Sequence, residues 1–284
     1  MILIADSGST KTDWRLIDDN KQIHQYTTQG ISPYFQTSEE ITEMLKQELL
    51  SQINSTISLK NLEVNYFGTG CANDEKKEVI AQALQNSFKS NSINVESDML
   101  GAAYALCGKL PGMVAILGTG SNTCFYDGKT IVANTPSLGY ILGDEGSGAH
   151  IGKIFIQAFL NNELPEHIKN NFSARQNNSQ AIILDAIYKK PYPNRYLAGF
   201  SKFVFQNIKE QYLLDLVVNC FQQFFDKHIC KYPNYKETPL NCVGSIAFYY
   251  SKLLKHVAEK NNVSVGTILE SPIAALSLYY LEDH

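Results

Sequence analysis

Residues 3–14 read Leu-Ile-Ala-Asp-Ser-Gly-Ser-Thr-Lys-Thr-Asp-Trp, an apolar run that ends at Asp6 and passes into a turn of small polar residues. The pattern predicts a buried strand followed by a loop whose backbone N–H groups and hydroxyls can surround phosphate oxygens. Asp6, at the end of the strand, is a candidate Mg²⁺ ligand. The stretch is not a Walker A loop, so Lys11 gains no role from that motif. A hairpin turn with solvated polar residues remains the alternative.

Two further glycine turns follow apolar runs later in the chain. Gly118-Thr119-Gly120-Ser121 comes after residues 114–117, and Gly244-Ser245 comes after residues 240–243. The first departs from the Rossmann pattern at Thr123, and the second, taken alone, is an ordinary helix start. Two phosphate-sized turns at the ends of two strands nevertheless predict a nucleotide held from both sides, which is typical of a kinase.

Two acidic positions are candidates for contact with the second substrate. Asp98 follows the predicted strand 93–95 and precedes an Ala-rich helix, where it can orient an alcohol and accept its proton late in phosphoryl transfer. The alternative role of Asp98 is a helix N-cap. In the loop 143–148, Asp144 can accept hydrogen bonds from sugar hydroxyls, or the loop can simply cap the helix that follows it.

Bulk properties exclude several classes of protein. The 284 residues are 44% hydrophobic and 18% charged, and the net charge of −4 argues against broad binding to nucleic acid or anionic membranes. No apolar run approaches the ~18 residues of a membrane span, and the apolar start is too short for a signal peptide. The six scattered cysteines form no Cys-x-x-Cys pair and are expected to be reduced thiols in the cytoplasm.

The order of predicted elements indicates a duplicated α/β domain. Both halves begin with strand, Gly/Thr turn, strand, turn, strand, and residues 108–112 break the pattern between them. We expect one domain over 1–107, joined by a C-terminal helix at 272–284, a second domain over 108–271, and the active site in the cleft between them.

Local signals predict two long helices in more detail. Apolar residues at four-residue spacing predict a helix from Ser38, its expected N-cap, to Ile53. A second helix is expected over 246–258, directly after the turn at Gly244.

Taken together, these motifs resemble the sugar kinase/Hsp70/actin superfamily and, more narrowly, the N-acetylglucosamine kinase-like branch of the BadF/BadG/BcrA/BcrD family. The similarity spans essentially the whole chain. The specific pair is Gly-Thr-Gly-Ser-Asn at 118–122 with Gly-Asp-Glu-Gly-Ser-Gly at 143–148. The resemblance implies two ribonuclease H-like (actin-like ATPase) domains flanking a cleft, and transfer of the γ-phosphate of Mg·ATP to the 6-hydroxyl of an N-acetylated amino sugar in amino-sugar or cell-wall sugar salvage.

The resemblance also assigns roles to individual residues. Asp98 matches the catalytic residue, and Asp6 is expected to hold the metal. We further expect a homodimer that binds no nucleic acid and no membrane. ATP and phosphate are expected at Ser7, Gly8, Ser9, Thr10, Lys11, Thr12, Gly118, Thr119, Gly120, Gly244 and Ser245, and the sugar at Ser32, Asp98, Thr119, Gly120, Leu138 and Asp144.

Two departures from the family pattern bear on the choice of sugar. Family members often carry Asn in the loop after the third strand, where this chain has Ser32, and a family Trp near the Gly-Asp-Glu-Gly loop is replaced by Leu138. The smaller residue leaves space for a bulkier ligand, so N-acetylmuramic acid and N-acetylglucosamine are both candidates. An ATP-driven activator of a radical dehydratase is the alternative function, although such activators hold an iron–sulfur cluster on closely set cysteines. An actin- or Hsp70-like ATPase is a third possibility.

Overall fold

The computed structural model describes residues 1–8, 10–53, 59, 61–71, 73–175 and 179–282. Ser9, one of the expected phosphate-binding residues, lies outside these described residues. The chain divides into two units. The first comprises Met1–Lys109 with Ser271–His284, and the second comprises Leu110–Glu270.

The described part of the first unit is built on a five-stranded sheet in the order β3-β2-β1-β4-β5. The first three strands pair antiparallel as two hairpins, and β4 and β5 add on in parallel. The strands are β1 (Ile2–Ser7), β2 (Lys11–Ile17), β3 (Ile23–Gln29), β4 (Glu63–Gly68) and β5 (Ser92–Ser97).

Strand register sets which residues share an edge of this sheet. Ser7 pairs with Gly68, and Gly68 pairs with Ser97. The carboxyl ends of β1, β4 and β5 therefore lie side by side, and the residues that follow them are brought together.

Helices cover both faces of this sheet. Leu3 and Trp14 face one core cluster, together with the first helices, and Ile4 faces another, together with the C-terminal helix. The helices are α1 (Ser38–Met44), a π-helical turn at Leu45–Leu50, α2 (Asp74–Phe88), α3 (Asp98–Cys107) and α13 (Ile273–Glu282), the last numbered in chain order.

The first helix differs from the prediction at both ends. Its N-cap is Thr37 rather than Ser38, because Thr37 and Glu40 form a reciprocal capping box. The α-helix ends at Met44 and continues as the π-helical turn. An apolar spacing of four residues exceeds the 3.6-residue helical period, and a wider turn keeps Leu45 and Leu49 on the buried face.

The second unit repeats the topology of the first. Its described strands form a five-stranded sheet in the order β10-β9-β6-β7-β8, again with three antiparallel strands and two parallel additions. The duplicated α/β prediction is therefore confirmed. The strands are β6 (Gly112–Leu117), β7 (Ser121–Tyr126), β8 (Ile131–Thr135), β9 (Leu240–Val243) and β10 (Val265–Leu269).

Most helices of the second unit lie between β8 and β9 and surround an aromatic core. Phe172 contacts the rings of Phe155 and Phe203 edge-on or nearly so. The helices are α4 (Gly139–Leu142), α5 (Gly148–Leu160), α6 (Glu166–Arg175), α7 (Gln180–Tyr188), α8 (Pro193–Gly199), α9 (Ser201–Gln206), α10 (Gln211–Lys227), a 3-10 turn at Ile229–Lys231, α11 (Ser245–Tyr249) and α12 (Ser251–Lys260).

The single helix expected over 246–258 is two helices, α11 and α12, that meet at Tyr250. Tyr250 is buried, and its hydroxyl donates a 2.7 Å hydrogen bond to the carbonyl oxygen of Ser201. This anchor depends on a residue 49 positions away, so the periodicity of the local sequence carries no sign of it. Among the described helices, none combines the length and the apolar character required to cross a bilayer.

Candidate active site

In the first unit, the carboxyl edge of the parallel strands gathers the acidic residues that the sequence singled out. Asp6 is the penultimate residue of β1, and Asp98 begins α3 directly after β5. Thr69, which follows β4, donates its backbone N–H to the carbonyl of Ser7 at 2.9 Å. The three strand ends therefore bring Asp6, Thr69 and Asp98 into one cluster.

Asp98 is not the cap of its helix. The cap is Ser97, whose hydroxyl accepts the backbone N–H of Leu100 at 3.3 Å. The carboxylate of Asp98 therefore does not cap the helix, and it accepts a hydrogen bond from the hydroxyl of Thr69. Burial raises the pKa of Asp98, while the bonds from the backbone N–H of Met99 and from Thr69 lower it in part. A carboxylate held in this way suits the acceptance of a proton.

Asp6 lies in a concentration of negative charge. Burial, followed by the charges of Asp98 and Asp13, raises the pKa of Asp6 to about 7, against a smaller lowering by Lys11. Such a site favours a bound cation. Mg²⁺ at nucleotide sites commonly takes only one or two protein carboxylates, with the remaining positions filled by water and phosphate. The carboxylates of Asp6 and Asp98 fit that donor set.

The first glycine turn has a buried base and an exposed rim. The hydroxyls of Ser7 and Thr12 are 2.8 Å apart and fully buried, so they bond to each other. The exposed residues are Gly8, Thr10 and Lys11; Lys11 forms a 2.7 Å ion pair with Asp13. The N–H of Gly8 donates to the carbonyl of Lys11 at 3.0 Å, so this bond and the Ser7–Thr12 pair hold the shape of the turn. The exposed rim offers the side chains of Thr10 and Lys11.

The loop after β3 lies against this edge at two points. Gly30 donates its N–H to the carbonyl of Thr10 at 3.1 Å. The ring of Tyr34 lies over Gly70, where an added Cβ would be 3.1 Å from a ring carbon. Ser32 is half-buried, and its N–H donates to the side chain of Gln36 at 2.7 Å. Ser32 thus lies in the loop between Gly30 and Tyr34, which contact Thr10 and Gly70.

In the second unit, three glycine turns converge. Any Cβ at Gly244, which has φ +120°, would collide with the carbonyl of Leu117. The carbonyl of Gly118 accepts the N–H of Gly148 at 2.8 Å, and the carbonyl of Thr119 accepts the next N–H along α5 at 3.0 Å. The turns after β6 and β9 and the start of α5 therefore form one continuous backbone surface, beside which Ser245 is exposed.

Asp144 lies at the centre of this surface. It is buried, and its backbone adopts a left-handed conformation with φ +56°, which is uncommon for residues other than glycine. Its carboxylate accepts the N–H of Ser121 at 3.3 Å, and a Cβ at Gly120 would lie 2.9 Å from Oδ2. Burial raises the pKa of Asp144, with the charge of Glu145 adding to the rise and the bond from Ser121 opposing it. Leu138, 58% exposed, packs by its Cβ against Gly143.

Sequence reasoning missed several residues that support these clusters. Thr69 was visible only as the middle of a Gly-Thr-Gly turn, and its bond to Asp98 depends on strand register. Lys227 and His228 pair with Glu145, although they lie 82 and 83 positions away. In the second glycine turn, the buried hydroxyl of Ser121 has no hydrogen-bond partner among the described residues, so a ligand atom could supply one.

Comparisons with known proteins agree with this arrangement. The model of the BadF/BadG/BcrA/BcrD ATPase family matches residues 5–273. The chain belongs to this family. A structure from Porphyromonas gingivalis, named as a candidate N-acetylglucosamine kinase, has a TM-score of 0.94 and 40% identity over 100% of both chains.

Two curated relatives of this BadF/BadG/BcrA/BcrD protein match over shorter stretches. The N-acetyl-D-glucosamine kinase of Dictyostelium discoideum is 26% identical over 52% of this chain and 50% of its own length. The N-acetylmuramic acid/N-acetylglucosamine kinase of Clostridium acetobutylicum is 28% identical over 56% and 53%. The chain thus spans about half the length of the curated relatives it matches.

The comparisons also confirm the predicted fold class. MreB 5 of Spiroplasma citri, at a TM-score of 0.55 and 10% identity over 99% of this chain and 95% of its own, shares the fold. The two mixed α/β sheets are those of the sugar kinase/Hsp70/actin fold.

Proposed function

We propose that this chain is an ATP-dependent kinase that phosphorylates an N-acetylated amino sugar. The observation that carries the proposal is Asp98, a carboxylate at a strand end that is spared from capping by Ser97 and oriented by Thr69. Its charge also interacts with that of Asp6. An acid held beside a candidate cation ligand suits a reaction in which an alcohol attacks a metal-bound phosphate.

ATP is assigned to the glycine turns of both units. The half-buried Gly118, Thr119, Gly120 and Gly244, together with the exposed Ser245, would line the nucleotide site of the second unit. In the first unit Gly8, Thr10 and Lys11 would contact phosphate directly, together with Ser9 of the same turn. Ser7 and Thr12 would act by holding the turn in shape, because their hydroxyls are bonded to each other.

Mg²⁺ is assigned to Asp6, directly or through water, with Asp98 close by. When bound, the ion would neutralise charge on the phosphates. The residues of this chain have a separate task, because phosphoryl transfer is mostly positioning. Thr69 holds the Asp98 carboxylate, which orients the sugar hydroxyl and takes up its proton as the bond to phosphorus forms.

The sugar is assigned to Ser32, Asp98, Thr119, Gly120, Leu138 and Asp144, and the 6-hydroxyl is the proposed acceptor. Relatives named for N-acetylglucosamine and for N-acetylmuramic acid support an N-acetylated amino sugar. The exposed Leu138, in place of a bulkier aromatic residue, supports N-acetylmuramic acid as an additional substrate.

A cytoplasmic location, a homodimer and a role in peptidoglycan-sugar salvage belong to the same proposal. The free thiols of Cys71, Cys220 and Cys242 are buried, and burial raises the pKa of Cys71 to about 12, which supports a reducing compartment. Light scattering of the purified protein tests the dimer.

The direct test is a coupled assay of ATP turnover with Mg²⁺ against N-acetylglucosamine, N-acetylmuramic acid, glucosamine and glucose. We expect turnover to depend on an N-acetylated sugar and the product to carry phosphate on O6, as read by NMR. ATP hydrolysis that no sugar changes would contradict the proposal and favour the activator function.

The reacting centre is tested by Asp98→Asn. We expect kcat to fall about 10²- to 10³-fold because the proton acceptor is lost, while the Kd for ATP is unchanged. Asp215→Asn, which makes the same change on the exposed face of α10, is the control and should keep full activity. Full activity of Asp98→Asn would show that the reacting centre is elsewhere.

A further inference from the structure

The loop that carries Asp144 is tied to the C-terminal end of α10. Glu145 is buried, and both of its carboxylate oxygens are paired: Oε1 lies 2.6 Å from Lys227 Nζ, and Oε2 lies 2.9 Å from His228 Nε2. Next to it, Gly146 packs so closely on Phe224 that a Cβ there would lie 2.8 Å from the Phe224 Cβ. Three contacts, two made by Glu145 and one by Gly146, thus attach the loop to one helix end.

This attachment has an electrostatic reason. Burial by itself would raise the pKa of Glu145, but hydrogen bonds from Lys227 and His228 outweigh it and lower the pKa to about 2. A buried carboxylate that has lost these partners would either turn toward water or take up a proton. Either outcome removes the restraint that Glu145 places on the loop next to Asp144.

The adjacent residue is the one whose position matters for the sugar. Asp144 has a left-handed backbone conformation, φ +56°, which costs free energy and persists only where the surroundings impose it. Its own side chain contributes a 3.3 Å bond from the N–H of Ser121. The stronger restraint on the loop is the paired Glu145.

We propose that Lys227 and His228 are positioning residues that hold Asp144, through Glu145, in the conformation that binds the sugar. The inference rests on the proposed function, in which Asp144 accepts sugar hydroxyls. Lys227 and His228 do not contact the sugar themselves. Their loss weakens sugar binding and leaves the nucleotide-binding backbone in place.

The test uses the full chain with Lys227→Met, His228→Leu and the conservative Lys227→Arg. Lys231→Met, which changes an exposed lysine of the 3-10 turn, is the matched control. Lys227 has a side chain that is 56% exposed, so its removal should leave the protein folded. KM and kcat are measured for both ATP and whichever sugar the wild type phosphorylates. Hydrogen–deuterium exchange of the free protein follows peptides from residues 143–150.

We expect Lys227→Met and His228→Leu to raise the sugar KM about tenfold, the worth of one charge-assisted hydrogen bond, with the KM for ATP unchanged. Amides in 143–150 should exchange faster, while Lys227→Arg and Lys231→Met behave as the wild type. Equal rises in both KM values, or a loss of thermal stability with neither KM moved, would overturn the positioning role. If the wild type phosphorylates no sugar, the proposed function fails, and unchanged exchange in 143–150 would then separately refute the attachment.

Discussion

At the scale of single residues, neighbouring acids in this protein differ because their surroundings differ. Asp144 and Glu145 are adjacent and both buried, yet the pKa of Asp144 is raised and that of Glu145 is lowered to about 2. Glu145 is paired with the ammonium of Lys227 and with a ring nitrogen of His228, whereas Asp144 accepts one backbone N–H. In the proposed arrangement the two residues have different roles: Glu145 holds the loop in place, and Asp144 binds the ligand.

His150 links the same loop to pH. It is buried, and its Nδ1 accepts the N–H of Gly146 at 3.2 Å, which requires an unprotonated Nδ1. Burial, with the positive charge of Lys153, lowers the pKa of His150 from 6.5 to about 4. The unfolded chain therefore binds more protons than the folded one between these values. The contribution of neutral His150 to the free energy of unfolding is complete above pH 6.5 and is lost as the pH falls toward 4.

We therefore predict that His150→Asn makes the stability of the protein less sensitive to pH. Between pH 7 and pH 4.5 the wild type should lose up to about 3 kcal/mol more of its free energy of unfolding than the variant. Urea unfolding at a series of pH values measures this difference, in which the titration of the acidic residues cancels. The exposed His256, changed to Asn, is the control and should follow the wild type; parallel curves for His150→Asn would contradict the prediction.

At the scale of elements, close packing of helix backbones shapes the second unit. Gly152 of α5 lies directly on α8, and a Cβ at Gly152 would overlap the carbonyl oxygen of Leu197. Near the start of the same helix, a Cβ at Gly148 would lie 3.2 Å from Ala198. The contact between α5 and α8 therefore positions the N-terminus of α5, which meets the turn at Gly118.

We predict that Gly152→Ala lowers the free energy of unfolding by about 1–3 kcal/mol, because the helices must separate. This loss outweighs the gain of about 1 kcal/mol that alanine brings to a helix interior. Gly199→Ala in α8 is the matched control, since a Cβ there meets no atom within 4 Å. Urea unfolding should show Gly199→Ala at least as stable as the wild type; equal effects of the two changes would refute the close-packing argument.

At the scale of the whole molecule, the first unit is made from both ends of the chain. Residues Ser271–His284 return to the unit formed by Met1–Lys109. Leu276 of α13 is fully buried in a cluster with Ile2 and Ile4 of β1. The first strand of the protein is thus covered by its last helix.

We predict that Leu276→Ala destabilises the first unit by about 2–4 kcal/mol through the cavity it leaves. Leu278→Ala, on the same helix but 58% exposed, should change stability by less than about 0.5 kcal/mol. The single tryptophan, Trp14, is buried in the first unit, so its fluorescence during urea unfolding reports on that unit. An unshifted fluorescence midpoint in Leu276→Ala would contradict the role of α13.

Much of the architecture was legible in the sequence. Apolar runs and the glycine turns that follow them, such as those at Gly118 and Gly244, identified the duplicated strands, since these signals are local. Helix ends were harder to predict, because neighbouring residues can each act as the N-cap. Thr37 rather than Ser38 caps α1, and Ser97 rather than Asp98 caps α3. The local sequence does not determine which of these side chains accepts a backbone N–H of the first helical turn.

By itself, the order of residues determined the family, the doubled sheet and the acids assigned to the proposed chemistry, because strand patterns and glycine turns act over a few residues. Tertiary structure alone decided which groups support those acids. Thr69 reaches Asp98 through the register of β4 and β5, and Lys227 and His228 reach Glu145 across more than eighty residues. Hydrogen bonds and ion pairs depend on distances of about 3 Å in space, and separation along the chain does not encode them.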